Sequence, residues 1–379
     1  MHCRFSEGSG VMRIGSVAEI KTHEYRVGLT PDGVLAFSNA GHEVFVQRGA
    51  GLGSGFLDDE YVAAGAELVN SAADVYSKVD MIIKVKEPLE SEYQYFRDDL
   101  IIYTYLHLAA NRPLTDEMLK SGVMGVAFET ITDKNGALPC LRPMSEIAGR
   151  LSIQEGAKYL EKPSGGRGVL LGGVPGVQRG KVVIIGGGVS GTHACKMAVG
   201  LGADVTVLDL SLSRLAELDD IFGGRITTLH NSPANLNAAL TGADLVVGAV
   251  LVPGLSAPRI VMREHLKLLH PGAVVVDIAI DQGGCIETSH VTYHNDPVFV
   301  EEGINHYCVG NMPGAVPRTS TLALANTTLP FGLKIANLGL EAACAADPFL
   351  AAGLNTYKGK CCYENVAKSH DIPFEAVTF

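Results

Sequence analysis

The chain has 379 residues, of which 47% are hydrophobic and 19% are charged, and its formal net charge is -11. This composition is typical of a globular protein that is long enough for two or more domains, not of a disordered chain. The negative charge excludes nucleic acid or an anionic membrane as the main partner, because both repel an acidic protein. Small anionic ligands stay open, since they require only a local group of positive charges.

Eight cysteines are scattered along the chain without a C-x-x-C pair. We therefore expect reduced thiols and no metal site. The N-terminal segment has no apolar signal region, and no run reaches the ~18 apolar residues that a membrane span needs. These features predict a cytoplasmic protein without a membrane partner. Residues 1–11 precede a second possible start at Met12 and are interpreted as an extension outside the fold.

Apolar strands and helical segments alternate from Met12 onward, which predicts a mostly parallel sheet with helices on its faces. The predicted elements are, in order, the strand "MRIGSVAEI", a helix from Thr30-Pro31 to Gly41, the strand "HEVFVQRG", the helix "DDEYVAAGAEL", the strands "VDMIIKVKEP" and "DLIIYTYLHLA", the helix "TDEMLKSG" and the strand "VMGVAFET".

A long helix, "PMSEIAGRLSIQEGAKYLEK", separates this unit from a second alternating one. The second unit opens with "GKVVIIGGGVSGTHACKMAVGLGADVTVLDL" and continues with the strands "GRITTLH", "ADLVVGAVLVP", "GAVVVDIAI" and "HYCVGNMP". Another long helix, "TSTLALANTTLPFGLKIANLG", would return the chain to the first unit. We predict an α/β protein with two doubly wound Rossmann-like domains joined by long helices, one formed by residues 1–139 with 321–379 and the other by residues 140–320.

A glycine motif begins the second unit, where Gly186, Gly188 and Gly191 form G-x-G-x-x-G after an apolar strand and before a helix. Asp209 ends the next strand, in the position expected for a residue that binds the adenosine ribose. Its charge would repel a 2′-phosphate, which favours NAD over NADP, although Arg214 weakens this preference slightly. The alternatives are a glycine-rich turn that binds nothing, or a related fold that binds FAD or S-adenosylmethionine.

Three polar residues lie at predicted strand ends, where open α/β sheets bind their ligands, and a fourth lies near the first predicted helix. Lys86 and His107 follow strands of the first unit, Asp281 follows a strand of the second, and Arg26 precedes the first helix. The three residues at strand ends each have a purely structural alternative: Lys86 as a solvated charge, Asp281 as a turn or cap residue, and His107 as a core histidine. The apolar run "IIYTYLHLAA" by itself favours the core position for His107.

Together these residues suit the reversible oxidation of an amino acid by NAD in a cleft between the two domains. Arg26 or Lys86 would bind the substrate carboxylate. His107 would donate and accept protons near neutral pH. Asp281 would stabilise the cationic iminium that forms at the reacting carbon.

The sequence resembles bacterial alanine dehydrogenase from Met12 almost to the C-terminus. The motifs that carry the resemblance are "HEYRVGLTP", "IKVKEP", "YLHLA", "MSEIAGR", "VDIAIDQGGC", "NMPGAVPRTST" and "TYKGKCCYENVA". The resemblance implies conversion of L-alanine, NAD and water to pyruvate, ammonia and NADH by a homohexamer.

The resemblance also implies roles for individual residues. Arg26 and Lys86 match the residues that bind the substrate carboxylate, and His107 and Asp281 match the catalytic pair. The positions that match cofactor contacts, beside the three motif glycines, are Ser145, Val189, Ser190, Asp209, Arg214, Val250, Ile278 to Asp281, and Val309 to Met312 with Asn311 among them.

Two other families remain as alternatives. The nucleotide-binding module of proton-translocating transhydrogenase resembles this chain but lacks equivalents of His107 and Asp281 in these motifs. A saccharopine-type dehydrogenase shares the two-domain plan, but "YLHLA" and "DIAIDQGG" fit it less well.

Overall fold

The computed structural model describes residues 10–250 and 257–379. The predicted N-terminal extension falls on residues 1–9 for most of its length, and the end of the predicted strand "ADLVVGAVLVP" falls on residues 251–253; both lie outside the described residues. The described chain divides into two compact units. One contains the residues up to Met144 together with Val316–Phe379, and the other is Ser145–Ala315. Across the described ranges, no helix combines the length and apolar character that crossing a membrane requires.

The described residues form fifteen strands in two sheets. In chain order the strands are β1 Arg13–Ser16, β2 Glu43–Gln47, β3 Glu67–Val69, β4 Met81–Ile83, β5 Ile101–Thr104, β6 Met124–Ala127, β7 Lys181–Ile185, β8 Asp204–Asp209, β9 Thr227–His230, β10 Leu245–Gly248, β11 Val274–Asp277, β12 Val298–Glu301, β13 Ile304–Tyr307, β14 Leu354–Tyr357 and β15 Lys360–Cys361.

Both sheets are mainly parallel, which confirms the predicted fold class. The first sheet has the order β15-β14-β6-β5-β4-β1-β2-β3, and the second has the order β12-β13-β11-β10-β7-β8-β9. Antiparallel pairing occurs only at one edge of each described sheet, where β14 pairs with β6 and β15, and β12 pairs with β13. The parallel strands β1, β4, β5 and β6 are therefore neighbours, as are β13, β11, β10, β7 and β8, so the carboxyl ends within each set share one sheet edge.

The described residues also form twelve α-helices. They are α1 Pro31–Asn39, α2 Asp58–Ala63, α3 Ala72–Lys78, α4 Arg112–Ser121, α5 Arg142–Tyr159, α6 Val189–Gly200, α7 Leu212–Phe222, α8 Pro233–Leu240, α9 Pro317–Leu338, α10 Leu340–Ala346, α11 Pro348–Ala351 and α12 Glu364–His370. The two long helices, α5 and α9, are those that the sequence predicts. Helix α5 passes through the division between the units, and α9 begins just after the second division.

The first sheet is buried on both faces, as a doubly wound sheet must be. On β5, Ile101 and Tyr103 belong to one apolar cluster while Ile102 belongs to another. Strand β4 alternates in the same way, with Ile83 in the first cluster and Ile82 in the second. Successive side chains of a strand point to opposite faces, so these continuous apolar runs fill the core on both sides.

One predicted element is wrong at its C-terminal end. The sequence pattern predicts a helix over the whole segment "DDEYVAAGAEL", but α2 ends at Ala63, and strand β3 forms beside β2 a few residues later. Gly65 has φ of +104°, a backbone conformation that ends a helix and that glycine adopts at low cost.

Candidate functional site

The first sheet carries its candidate functional residues on the segments that follow β1, β4 and β5. Arg26 lies on the segment after β1, Lys86 lies three residues after β4, and His107 lies three residues after β5. Because these strands are parallel neighbours, the three segments leave the sheet at the same edge. The structure thus brings the two predicted cations and the predicted imidazole to one edge of this unit.

Arg26 is buried and forms a two-pronged ion pair with Glu24. Its Nε lies 2.7 Å from Glu24 Oε1 and its Nη2 lies 2.6 Å from Glu24 Oε2, while Nη1 lies 3.1 Å from Met144 Sδ. Burial opposes ionisation of Glu24, but its hydrogen bonds and attraction to Arg26 outweigh burial and lower the Glu24 pKa. Glu24 therefore occupies the Nε–Nη2 edge of the Arg26 guanidinium.

Lys86 is half-buried beside this pair. Burial lowers the pKa of Lys86, and the positive charge of Arg26 lowers it further. The main chain of Lys86 is held on both sides: Glu19 Oε1 accepts a hydrogen bond from its N–H at 3.3 Å, and Thr104 Oγ1 donates to its carbonyl at 3.1 Å. Within residues 10–250 and 257–379, no hydrogen bond engages Lys86 Nζ. The backbone that carries the Lys86 ammonium group is therefore fixed by hydrogen bonds.

His107 is exposed, and the core position that the apolar run favours is wrong for it. Its side chain is 45% exposed, and its ring stacks on Tyr105 with 5.8 Å between centroids. The residue has φ of +49° and ψ of +35°, a left-handed conformation that is uncommon for residues other than glycine. Strained backbone of this kind persists only where the surroundings hold it, and it clusters at functional sites.

Glu129, which follows β6, holds His107 in this conformation. Its carboxylate accepts hydrogen bonds from the main-chain N–H of Leu106 at 3.1 Å and from that of His107 at 2.5 Å. The same Oε1 lies 3.9 Å from His107 Nδ1. Glu129 thus fixes the backbone of His107 and also lies close to its ring.

The glycine motif lies where the sequence predicts, between β7 and α6 of the second unit. Gly186 has φ of +99°, and a Cβ on Gly191 would lie only 1.8 Å from Gly186 O, so both positions require glycine. A Cβ on Gly188, in contrast, would meet no atom of the described residues within 4 Å. The first residues of α6, Val189 and Ser190, follow directly.

Asp209 and Arg214 both bind the glycine loop. Asp209 Oδ2 accepts a hydrogen bond from Gly187 N at 2.7 Å, and Arg214 Nε donates to Gly187 O at 2.7 Å. Arg214 also donates to Thr192 Oγ1 at 2.6 Å and pairs with Glu217. The guanidinium of Arg214 is therefore already bound by the glycine loop, by Thr192 and by Glu217 of α7. It would have to give up these partners to pair with a 2′-phosphate.

Asp281 is exposed and lies beside the segment that follows β13. Its Oδ2 accepts a hydrogen bond from Asn311 N at 3.3 Å. The fully buried Asp277, at the end of β11, holds the loop that carries Asp281, because it accepts hydrogen bonds from the main-chain N–H groups of Ala279, Cys285 and Ile286 at 3.0–3.2 Å. The structure thus brings the predicted segments 278–281 and 309–312 together.

The other predicted cofactor residues surround the same edge of the second sheet. Ser190 Oγ donates to the carbonyl of Ser145 at 2.9 Å, which ties α6 to α5. Val250 follows β10, and its Cγ2 lies 3.2 Å from the position of a Cβ on Gly186. The remaining predicted residues follow β11 and β13: Ile278 is half-buried, whereas Val309 and Met312 are buried.

This arrangement fits a dinucleotide. The open side of Gly188 allows a pyrophosphate to approach the backbone, and the N-terminus of the 12-residue helix α6 presents unpaired N–H groups and a positive dipole end. Asp209 lies at the end of the next strand, where a ribose would be bound. Among the residues described, no group of three or more His, Cys, Asp or Glu side chains is arranged to hold a metal ion.

No motif in the sequence singled out the carboxylates that fix the loops: Glu19, Glu24, Glu129 and Asp277. An available signal was an acidic residue at or shortly after an apolar strand, as in "AFET" for Glu129 and "VVVD" for Asp277. Such residues are rarely buried unless they are paired or hydrogen-bonded.

Family models match nearly the whole chain. The model described as "Alanine dehydrogenase/PNT, N-terminal domain" matches residues 15–148, and "Alanine dehydrogenase/PNT, C-terminal domain" matches residues 152–364. Among relatives, the alanine dehydrogenase of Methanococcus maripaludis is 55% identical over 96% of this chain and 98% of its own length. That of Geobacillus stearothermophilus is 53% identical over 97% of this chain and 98% of its own.

Solved structures agree with these relatives. A structure of L-alanine dehydrogenase superposes with a TM-score of 0.93 at 50% identity and covers 95% of this chain and 99% of that one. A transhydrogenase from Sinorhizobium meliloti superposes with a TM-score of 0.81 at 25% identity, over 93% of this chain and 99% of that one. The fold, the two family models and identities above 50% over almost the full length show that this chain belongs to the alanine dehydrogenase/PNT family.

Proposed function

We propose that this protein catalyses the reversible, NAD-dependent oxidative deamination of L-alanine to pyruvate and ammonia. The observation that carries the proposal is the exposed imidazole of His107 at the same sheet edge as Arg26 and Lys86. Relatives that are named alanine dehydrogenase and are more than 50% identical to this chain support the choice of substrate. The weaker likeness to transhydrogenase, at 25% identity, makes the binding-module alternative the poorer one.

Lys86 and Arg26 would bind the carboxylate that alanine and pyruvate share. The positive charge of Arg26 is one cause of the lowered pKa of Lys86, and a bound carboxylate would offset this repulsion. Since Glu24 occupies the Nε–Nη2 edge of Arg26, we propose that Lys86 makes the direct ion pair. Arg26 would contribute its positive charge beside Lys86.

His107 would act as the proton donor and acceptor at the reacting carbon. The ammonia adduct of pyruvate must lose water, and this step requires a proton on the departing hydroxyl. Asp281, exposed beyond β11, would stabilise the cationic iminium that results. A nicotinamide cofactor bound at the glycine loop supplies the hydride acceptor or donor.

The family's cofactor is a dinucleotide, and for this chain we propose NAD and not NADP. Asp209 is a fixed negative charge at the predicted ribose position, and Arg214 is engaged by Gly187, Thr192 and Glu217. A 2′-phosphate would therefore meet the carboxylate of Asp209, while the guanidinium of Arg214 is already engaged.

We further propose a homohexamer that works in the cytoplasm, as the family resemblance implies. Leu170, Val174 and Val177 are exposed apolar residues on one short segment, which supports their burial against another subunit. The seven cysteines of the described residues are unpaired, which suits a reducing compartment.

The proposed function predicts that the full-length protein oxidises NADH in the presence of pyruvate only when ammonium is added. Absorbance at the NADH band measures this directly, and chromatography identifies alanine as the product. Turnover without ammonium would indicate a hydroxy-acid dehydrogenase, and no turnover in either condition would favour the binding module.

His107→Ala should reduce turnover on the order of 10²-fold or more, because the proton donor is removed. The Kd for NADH should change by less than about twofold. His270→Ala is the matched control, since His270 precedes β11 at the opposite edge of its sheet. Near-normal turnover of His107→Ala would assign the proton transfer to another group.

Asp209→Ala and Asp209→Asn test the cofactor preference as a pair. Both remove the charge, so the ratio of kcat/KM for NADPH to that for NADH should rise about tenfold or more in each. The asparagine variant keeps an acceptor for Gly187 N, which separates the effect of charge from loosening of the loop. If both cofactors weaken equally, Asp209 acts only as a structural brace.

A further inference from the structure

A buried ion network lies behind Lys86. The ammonium of Lys84 is fully buried and lies 2.9 Å from Glu92 Oε1 and 3.3 Å from Glu19 Oε2, both of which are also buried. Burial opposes the charged form of Lys84, but the two carboxylates outweigh it and raise its pKa. Burial of the Glu19 carboxyl group raises its pKa, and the positive charge of Lys84 limits this rise.

Each carboxylate of this network also binds a different part of the segment that carries Lys86. Glu19 Oε1 accepts hydrogen bonds from Val85 N at 2.6 Å and from Lys86 N at 3.3 Å. Glu92 instead accepts from Leu89 N at 3.0 Å and from the hydroxyl of Tyr76 at 3.0 Å. Of the two acids, Glu19 contacts the peptide of Lys86 and Glu92 does not, so two carboxyl groups that are both buried differ in what they hold.

We infer that Glu19 is a positioning residue for Lys86, and that Lys84 is the counter-charge that keeps Glu19 in the interior. The inference rests on the proposed role of Lys86 in binding the substrate carboxylate. A long lysine side chain loses considerable rotamer entropy when it is fixed, so its reach depends on where its own backbone is anchored. Glu19 and Thr104 supply that anchor at the N–H and the carbonyl of the residue.

The two oxygens of Glu19 have different partners, since Oε1 accepts the main-chain hydrogen bonds and Oε2 faces the Lys84 ammonium, and this defines the sharpest substitution. Glu19→Gln has one oxygen, so its amide must turn an N–H group toward either the Lys84 ammonium or the Val85 N–H. One of these donors then loses its partner, although the remaining charges, Lys84 with Glu92, stay balanced. Glu92→Gln likewise replaces one carboxylate oxygen by an N–H donor and leaves the charge of Lys84 balanced by Glu19. It disturbs the hydrogen bonds from Leu89 and Tyr76, but it leaves the hydrogen bond from Lys86 N to Glu19 intact.

The test compares Glu19→Gln, Glu92→Gln and the wild type in the ammonium-dependent reduction of pyruvate. We expect Glu19→Gln to raise the KM for pyruvate about tenfold, because a small misplacement of a substrate-binding group is costly. Glu92→Gln should change this KM by less than about twofold, although both variants should have a lower Tm. The Kd for NADH should stay constant in both. Lys78→Met, which breaks an exposed pair with Glu67 elsewhere in the same unit, controls for loss of a lysine ion pair.

A purely structural role for Glu19 predicts similar losses of Tm and an unchanged KM in both glutamine variants, and that result overturns the inference. An equal rise in KM in the two variants also overturns it, since the effect would then not pass through the Lys86 peptide. Glu19→Asp provides a second variant that retains the charge and withdraws the carboxylate by one methylene, with an expected rise in KM of about threefold. If the wild type itself does not turn over pyruvate, the proposed function fails, and that failure is distinct from the failure of this inference.

Discussion

The loops that carry the candidate site residues depend on carboxylates that accept hydrogen bonds from main-chain N–H groups beyond the carboxyl ends of parallel strands. Glu19 holds the segment after β4, Glu129 holds the segment after β5, and Asp277 closes the loop after β11. Beyond the last residue of a strand, the backbone loses its ladder partners, and its buried N–H groups need other acceptors. An ionised carboxylate can satisfy two or three of them at once, with hydrogen bonds stronger than those of neutral acceptors.

These hydrogen bonds let exposed, chemically useful side chains stand on fixed backbone. His107 adopts a left-handed conformation that costs on the order of 1–3 kcal/mol, and the hydrogen bonds that Leu106 N and His107 N donate to Glu129 stabilise it. Lys86 and Asp281 also stand on fixed backbone, but without a left-handed conformation. Glu19 binds the main chain of Lys86, and Asp277 binds the loop that carries Asp281. Catalysis by positioned acids, bases and charges requires this order before a substrate arrives.

Much of the fold and part of the candidate site could be predicted from the sequence. Apolar runs ended by glycine or proline predicted most strands, and a strand–glycine loop–helix with Asp209 predicted the dinucleotide site. The pattern could not show that Glu24 occupies one edge of Arg26, because ion pairing depends on three-dimensional proximity. Nor could it decide between a core and an exposed position for His107, since the turn to positive φ is imposed by Glu129, 22 residues away in the chain. The pattern also missed strand β3, because its residues continue the helical spacing of α2 and Gly65 is the one residue that signals the end of the helix.

Hydrogen exchange of the full-length protein, followed by mass spectrometry on overlapping peptides, tests most directly whether buried carboxylates fix these loops. His107 and Asp281 have exposed side chains, so ordinary loops at these positions would exchange their amides within seconds. We predict that the amides of Leu106, His107, Cys285 and Ile286 exchange as slowly as those of the adjoining strands β5 and β11, because each donates to a carboxylate. Exchange of these four amides at the rate of an unstructured peptide would contradict the account.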